Sequence, residues 1–209
     1  VTTFVLVRHG ETEWNRQGRI QGHSDSALTP EGVAQAEAMG RRLGVESIDH
    51  FLVSDLGRAR HTAAIISQHV QTAPVPHAAF RERAFGVAEG LTYAEIDARF
   101  PEMFSRVRET DPDFAAEGGE SRRQFSARVV DALHRLADTY HSGRVLVVTH
   151  GGVLAAVYRW AHQLPIASAH QIEIPNVAYN RMVMRDGAAT IEAWADVAHL
   201  AVTTHNDRV

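Results

Sequence analysis

The first hydrophobic block is Phe4-Val5-Leu6-Val7, and it stops abruptly at Arg8-His9-Gly10. A short continuous apolar run of this kind predicts a buried strand over Thr3–Val7. Polar residues and glycines follow to about Thr29. Thr29-Pro30 then supplies a helix start, with threonine as cap and proline at the first position. Val33, Ala36, Gly40 and Leu43 mark one narrow face of that helix. A second strand is expected over Asp49–Val53, after which Ser54 is positioned to cap a helix reaching about Val70. Ala59, Ala63, Ile66 and Val70 share one face of it, and Pro74–Phe80 reads as a short connection or strand.

From Ala84 to Gly119 the pattern changes to two short helical segments, Tyr93–Arg99 and Glu102–Arg108, among scattered aromatics and turn residues. This stretch predicts a cap or lid rather than part of a sheet. Ser121 and Gln124 then form a capping box before an amphipathic helix with Phe125, Val129, Leu133, Leu136 and Tyr140 on its apolar face. Val145–Val148 is a fully apolar strand ending at Thr149-His150-Gly151-Gly152, and another helix is expected to about His162. Two strands joined at Arg185-Asp186-Gly187 are expected within Asn176–Ala195, before a polar tail. Strands alternating with helices predict an α/β fold, a mostly parallel sheet covered on both faces. The expected organisation is one domain over residues 1–209 with an insertion at about 84–119.

Composition narrows the chemistry. All 21 basic residues are arginine, so lysine-dependent phosphate loops and Schiff-base catalysis are excluded. With no cysteine there are no disulfides, thiolate metal sites or cysteine nucleophiles. A net charge of −4 offers no basic field for nucleic acid or an anionic membrane, and no apolar run approaches bilayer length. The start, Val1–Val5, lacks a basic region and a cleavage site, which favours the cytoplasm. Thirteen histidines raise the question of a metal, but there is no H-E-x-x-H motif, and His69, His141 and His162 fall on surface positions; no metal is expected.

Ligands of open parallel sheets bind at the carboxyl ends of the strands, and His9 and His150 both stand at strand ends. On neighbouring strands their imidazoles would face each other across one crevice. A neutral imidazole is a good nucleophile, and nearby arginines disfavour its protonation. The guanidinium fork of Arg8 matches phosphoryl oxygens. Arg58 lies in the first turn of a helix, where anions are favoured; the same residue reads equally well as the i,i+3 partner of Asp55. His150-Gly151-Gly152 reads as an anion-binding helix start or as a glycine-rich turn with a satisfied histidine. The oxyanion loop of an α/β hydrolase would need a G-x-S-x-G elbow that is lacking. Glu82, in Phe80-Arg81-Glu82-Arg83, is a candidate proton donor, although nothing local prefers it over Glu11 or Glu120.

Taken together, Arg8-His9-Gly10-Glu11-Thr12 with Trp14-Asn15 resembles the signature of the histidine phosphatase superfamily, which includes cofactor-dependent phosphoglycerate mutases and small phosphatases. The resemblance continues through Gln21-Gly22, Leu28-Thr29-Pro30-Glu31-Gly32, Ser54-Asp55-Leu56-x-Arg58-Ala59-x-x-Thr62 and Glu82-Arg83-x-Phe85-Gly86-x-x-Glu89-Gly90. It closes with Gly118-Gly119-Glu120-Ser121 and Thr149-His150-Gly151-Gly152. It implies a three-layer helix-sheet-helix fold with a mixed, mostly parallel sheet and a small cap. It also implies a phosphohistidine on His9, with Arg8, Arg58 and His150 clamping the phosphoryl oxygens and Glu82 as acid and base. Asn15, Gln21, Gly22, Arg83 and Gly151 are the implied substrate and phosphate contacts. No cofactor is implied, because two arginines, and His150 if protonated, can supply the charge.

The resemblance covers two activities. Mutases of the family usually carry Tyr, Lys and Asn where this chain has Phe85, Tyr93 and Gly152, so hydrolysis of a small phosphorylated metabolite is the expected reaction. Phosphoglycerate mutation, primed by 2,3-bisphosphoglycerate, is the alternative, and a catalytically inactive binding module is a third reading. Phe85, Tyr93, Phe100, Met103, Phe104 and Phe114 read either as an aromatic lid for a larger organic group or as simple cap packing. Whether the chain is a monomer or a homodimer does not follow from the sequence.

Overall fold

A single face cannot account for the unbroken apolar run Phe4–Val7, and the structure shows both faces in use. The computed structural model describes residues 1–108, 111–168 and 171–200, without the side chains of 107 and 108; the Arg108 side chain and the polar tail after residue 200 therefore lie outside the description. Six strands, β1 (Thr2–Arg8), β2 (His50–Val53), β3 (Val75–Pro76), β4 (Arg144–Thr149), β5 (Tyr179–Arg185) and β6 (Ala188–Asp196), form one sheet in the order β3-β2-β4-β1-β5-β6. The four strands β3, β2, β4 and β1 pair in parallel, while β5 and β6 add an antiparallel edge. The sheet is thus mixed and mostly parallel, as expected.

Alternation then sorts the side chains. Phe4, Leu6, Leu52, Val145 and Val147 point to one face, where helices α6 (Arg122–Thr139) and α7 (Gly151–Ala161) cover them with Phe125, Val129, Leu133 and Leu154. Val5, Val7, Phe51, Val53, Leu146 and Val148 point to the other, covered by α2 (Pro30–Leu43) and α3 (Gly57–Ile66) through Met39, Leu43, Ala59 and Ile66. Fully burying each such large side chain contributes about 1.5–3 kcal/mol, so the two central strands anchor two cores at once.

Several local expectations shift. The buried stripe of α2 is Gly32, Gln35, Ala36, Met39, Gly40 and Leu43, with Val33 only partly covered. Gln35 takes a core position because its side-chain oxygen accepts the Glu11 backbone N–H at 3.1 Å. Helix α3 ends at Ile66 rather than Val70, and Ser54 does not cap it. The Asp25 carboxylate does so from a distant loop, accepting from the amides of Gly57 at 2.7 Å and Arg58 at 3.2 Å. A one-turn helix α1 (Glu13–Arg16) sits inside the supposedly irregular stretch, closed by a Thr12–Asn15 capping box. The capping boxes of α6 and the Thr29 cap of α2 form as expected.

Between residues 84 and 119 lie α4 (Tyr93–Arg99) and α5 (Pro101–Arg108). An isolated bridge between Phe85 and Gly119 closes the base of this excursion. Arg128 on α6 clamps the base, donating to both Glu120 carboxylate oxygens at 2.9 and 2.8 Å and to the Ala79 carbonyl at 2.8 Å.

Candidate active site

Parallel pairing of β1 with β4 sets Arg8 opposite Thr149, so the next residue of each strand is a histidine. The His9 and His150 rings lie 5.3 Å apart between centroids, tilted by 59°. His9 is fixed from three sides. Its amide donates to the Thr149 carbonyl at 2.9 Å, and its own carbonyl accepts from the Asn176 side chain at 2.9 Å. Its ring Nδ1 meets the Gly10 carbonyl at 2.8 Å. A carbonyl only accepts, so we assign the ring proton to Nδ1, leaving the Nε2 lone pair turned into the site, where it accepts from Arg58. The following turn packs against the start of α2 so closely that a Cβ on Gly32 would collide with the Glu11 backbone.

Arg58 is the most tightly held group of the site. Its guanidinium donates to the carbonyls of Ser24 and Gly22 at 2.8 Å each, to the Asp25 carboxylate at 2.8 Å and to His9 Nε2 at 3.3 Å. Arg58 therefore pairs with Asp25 and not with Asp55, which is engaged by Arg81 through two hydrogen bonds of 2.7 and 2.6 Å. Arg8 is buried and donates to the Ile174 carbonyl at 2.8 Å.

Electrostatics follows from this packing. Burial, then the charges of Arg58 and Arg8, hold the pKa of His9 well below the ordinary 6.5, against the pull of the Gly10 hydrogen bond. Burial, then Arg58, His9 and Arg8, do the same to His150. These effects favour the neutral form of His150, so the two arginines are the ready source of positive charge in the site. Its Nε2 lies 2.7 Å from the Ser54 hydroxyl, and its Nδ1 is buried with no partner. The Ser54 oxygen also accepts from the Leu56 amide at 3.4 Å, which ties the hydroxyl to the start of α3. Ser54 thus orients the second histidine, a role its strand-end position did not reveal.

Glu82 sits beside this pair. Its carboxylate accepts from the Gly152 amide, in the first turn of α7, at 2.9 Å and from the Arg83 amide at 2.7 Å. A Cβ at residue 152 would collide with it. Glu11 is a structural residue, buried and bonded to the Thr29 hydroxyl at 2.8 Å, and Glu120 is spent on Arg128. The structure thereby separates three carboxylates that were equivalent in sequence.

The predicted binding residues divide. Gly151 opens α7 directly after His150. Gly22 presents its carbonyl to Arg58, and its positive φ of 55° and the adjacent Glu89 carboxylate leave no room for a side chain. Gln21 is buried with its oxygen on the Thr12 hydroxyl at 3.1 Å, and the Asn15 oxygen is likewise engaged by Thr12 at 3.1 Å. Any phosphate contact from Asn15 or Gln21 would have to come from the amide nitrogen. Arg83 is turned toward the 84–119 segment, donating to the carbonyls of Glu120 at 2.8 Å and Phe114 at 3.1 Å. Phe85, Tyr93, Met103, Phe104 and Phe114 surround a void of about 30 Å³ as a small packed cluster, and Phe85 and Tyr93 also border a cavity beside Glu82 and Gly152. Arg106 is occupied by Asp111 at 2.6 Å.

Sequence reasoning passed over Asp25, Ser54 and Thr62 as site supports; Thr62 joins the Gly10 amide at 3.0 Å to the Arg58 carbonyl at 2.9 Å. It also missed the purpose of Glu89. Burial works to raise the pKa of Glu89, but donors from His23, Ser24 and Phe85 outweigh it and keep the carboxyl low. Those bonds, 2.7 to 3.0 Å long, fold the loop that carries Gly22, Ser24 and Asp25 under Arg58. Among the described residues there is no cluster of three or more His, Asp or Glu able to hold a metal ion, and no helix long and apolar enough to cross a membrane.

Comparison with known proteins places the constellation. The sequence profile of the histidine phosphatase superfamily (branch 1) matches residues 4–197, and the chain belongs to that superfamily. It is 39% identical over 206 residues to a metal-independent phosphoserine phosphatase of Arabidopsis thaliana, covering 96% of this chain and 84% of the relative. It is 40% identical over 206 residues to phosphoglycerate mutase-like protein 4 of the same plant, covering 96% and 87%. Among solved structures, Bacillus stearothermophilus YhfR superposes with a TM-score of 0.87 at 29% identity, over 95% of this chain and 99% of that one.

Proposed function

We propose that this chain is a phosphatase that hydrolyses small phosphomonoesters through a phosphohistidine on His9, with the 84–119 segment capping the site. The observation that carries the reading is the state of His9. It is neutral, with Nδ1 tied to the Gly10 carbonyl at 2.8 Å and Nε2 facing Arg58 at 3.3 Å. In the first step Nε2 attacks phosphorus in line, the N–P bond forms and the ester P–O bond breaks. Arg8, Arg58 and His150 stabilise the equatorial oxygens as charge spreads over them. Glu82 gives its proton to the leaving oxygen. In the second step Glu82 takes a proton from water, the water oxygen attacks phosphorus, the N–P bond breaks and His9 is restored. Asn15, Gln21 and Gly151 fit as supplementary phosphate donors.

The charge needed is already supplied by two arginines, so the reaction as proposed requires neither metal nor other cofactor, and activity survives exhaustive chelation. The relative named a metal-independent phosphoserine phosphatase supports this reading. Rapid quenching during turnover is expected to trap an acid-labile adduct on His9 by mass spectrometry. An adduct on a hydroxyl residue, or full activity of His9→Ala, overturns the mechanism.

The name of the mutase-like relative keeps one rival in view. Supplying 3-phosphoglycerate with a trace of 2,3-bisphosphoglycerate separates the two: phosphate release outpaces formation of 2-phosphoglycerate in a phosphatase, and the reverse holds in a mutase.

A further inference from the structure

The segment that leads into β5 touches both partners of the nucleophile. Asn176 is buried and donates to the His9 carbonyl at 2.9 Å, and the Ile174 carbonyl accepts from Arg8 at 2.8 Å. Between these contacts and the strand stands Val177, fully buried and held at a φ of +55°. A β-branched side chain is disfavoured in this left-handed region, and such a conformation persists only where its surroundings over-determine it. Two bonds do so. The Val177 amide donates to the Arg8 carbonyl at 3.2 Å, and the Val177 carbonyl accepts from Nε2 of His199 at 3.0 Å.

His199 comes from the far end of the sheet, three residues past β6. It is seated by a short turn in which the Leu200 amide donates to the Val197 carbonyl at 2.8 Å. Its ring has a partner on each nitrogen. A carbonyl only accepts, so the proton is on Nε2, and Nδ1 accepts from Arg42, in the last turn of α2, at 3.2 Å. The same guanidinium lies 4.0 Å from the centroid of the Tyr179 ring and donates to Asp196 at 2.6 Å. Burial first, then the Arg42 charge, lowers the pKa of His199 against the pull of the Val177 bond and of Asp196, which keeps the ring in this neutral form. The Arg42–Asp196 pair alone would anchor the end of β6 to α2. That pair accounts for neither the imidazole on the Val177 carbonyl nor the left-handed turn it closes.

We propose that His199 is a positioning residue for the nucleophile: through the Val177 carbonyl it holds the turn that keeps Asn176 on His9 and Ile174 on Arg8, with Arg42 fixing its tautomer. The proposal rests on the reading of His9 as nucleophile. Segment 197–200 touches no reacting atom, yet turnover depends on its being seated, because the only route from it to His9 runs through a turn that does not hold itself.

The experiment compares wild type, His199→Ala and His199→Gln, the last of which keeps an N–H donor at the position of the ring Nε2. With p-nitrophenyl phosphate, below the onset of unfolding, His199→Ala is expected to lower kcat about 10-fold with KM within about twofold. That lies inside the 10²-fold loss that a misplacement far from the chemistry can produce. His199→Gln recovers most of it. Full kcat in the alanine variant, or equal losses in both variants, overturns the proposal and leaves His199 a simple anchor of the chain. Amide hydrogen exchange reads the turn without turnover: Val177 is expected to exchange about 10-fold faster in His199→Ala while Met182, further along β5, keeps its rate. In wild type, ring ¹⁵N shifts report His199 as the Nε2–H tautomer; the other tautomer, or averaging between the two, overturns the proposal without any mutant. If wild type hydrolyses no ester, the phosphatase reading fails, and exchange and tautomer still decide the role of His199. If esters are hydrolysed and Val177 exchange is unmoved by His199→Ala, the positioning role fails and the phosphatase stands.

Discussion

The two adjoining pockets are both lined by arginine, yet they are built on opposite principles. At the strand ends Arg58 is buried, with donors committed to two carbonyls, one carboxylate and one imidazole. Across Glu82, Arg122 and Arg159 line the cavity beside Gly152, are half exposed and between them make one long side-chain hydrogen bond. The first arrangement pre-organises charge where a transition state needs it, at a desolvation cost met during folding. The second leaves its cations half exposed and lightly bonded, free to change partners. The comparison teaches that arginines close to one another in space can be fixed or adaptable according to how completely their donors are bonded beforehand.

Four outcomes break or sharpen that contrast. The largest concerns Glu82, which belongs to both pockets. Glu82→Gln is expected to cost about 10²–10⁴-fold in kcat on alkyl phosphates and far less on p-nitrophenyl phosphate, whose leaving group needs no proton. Equal losses on both would make Glu82 a positioning residue only. Next, Arg58→Gln is expected to lower kcat on the order of 10²–10³-fold, with all esters affected alike. A loss confined to some esters would erase the distinction between the pockets.

Asp25→Ala removes the cap of α3 and one clamp of Arg58 together. Denaturant unfolding is expected to show a loss of about 0.5–2 kcal/mol, and kcat falls by less than in Arg58→Gln. The last outcome concerns the pH dependence of stability, with no loss of turnover to read. His9 and His150 have native pKa values pushed below 6.5, so the unfolded chain takes up protons first as the pH drops. Stability is therefore whole above about pH 6.5 and declines below it, by at most ~1.4 kcal/mol per pH unit for each histidine, until the native pKa values are reached. Denaturant midpoints measured from pH 8 to pH 5 check the sign, and a flat profile would mean that the histidines are not held neutral.

Much of this was legible in the chain because the relevant signals are local. The run Phe4–Val7 ending at His9 and the run Val145–Val148 leading to His150 gave strands, buried on both faces, with chemistry at their ends. The Ser121 capping box and the Thr29-Pro30 start fixed two helices. What stayed hidden depends on residues remote in sequence. Asp25 caps a helix that begins at Gly57, and Ser54 turns away from that cap to bond His150. The choice among Glu11, Glu82 and Glu120 rests on which carboxylate reaches the first turn of α7, and no composition around them records that. The bias of His150 towards its neutral form comes from burial and from Arg58 and His9, so whether it would add to the charge of the arginines was open until the packing was known.

The register of β1 against β4 carries one more consequence, in time rather than in space. It aligns residue 8 with residue 149, and β1 is closed on its other side by β5, whose approach segment supplies the Ile174 carbonyl to Arg8 and the Asn176 side chain to His9. Closing contacts of such long sequence separation is entropically expensive and comes late in folding. A chain emerging from the ribosome presents the His9 motif first and cannot oppose it to His150 until the segment between them and β4 have been made. Under the proposed mechanism, recovery of turnover after dilution from denaturant is expected to report completion of the centre of the sheet rather than early collapse.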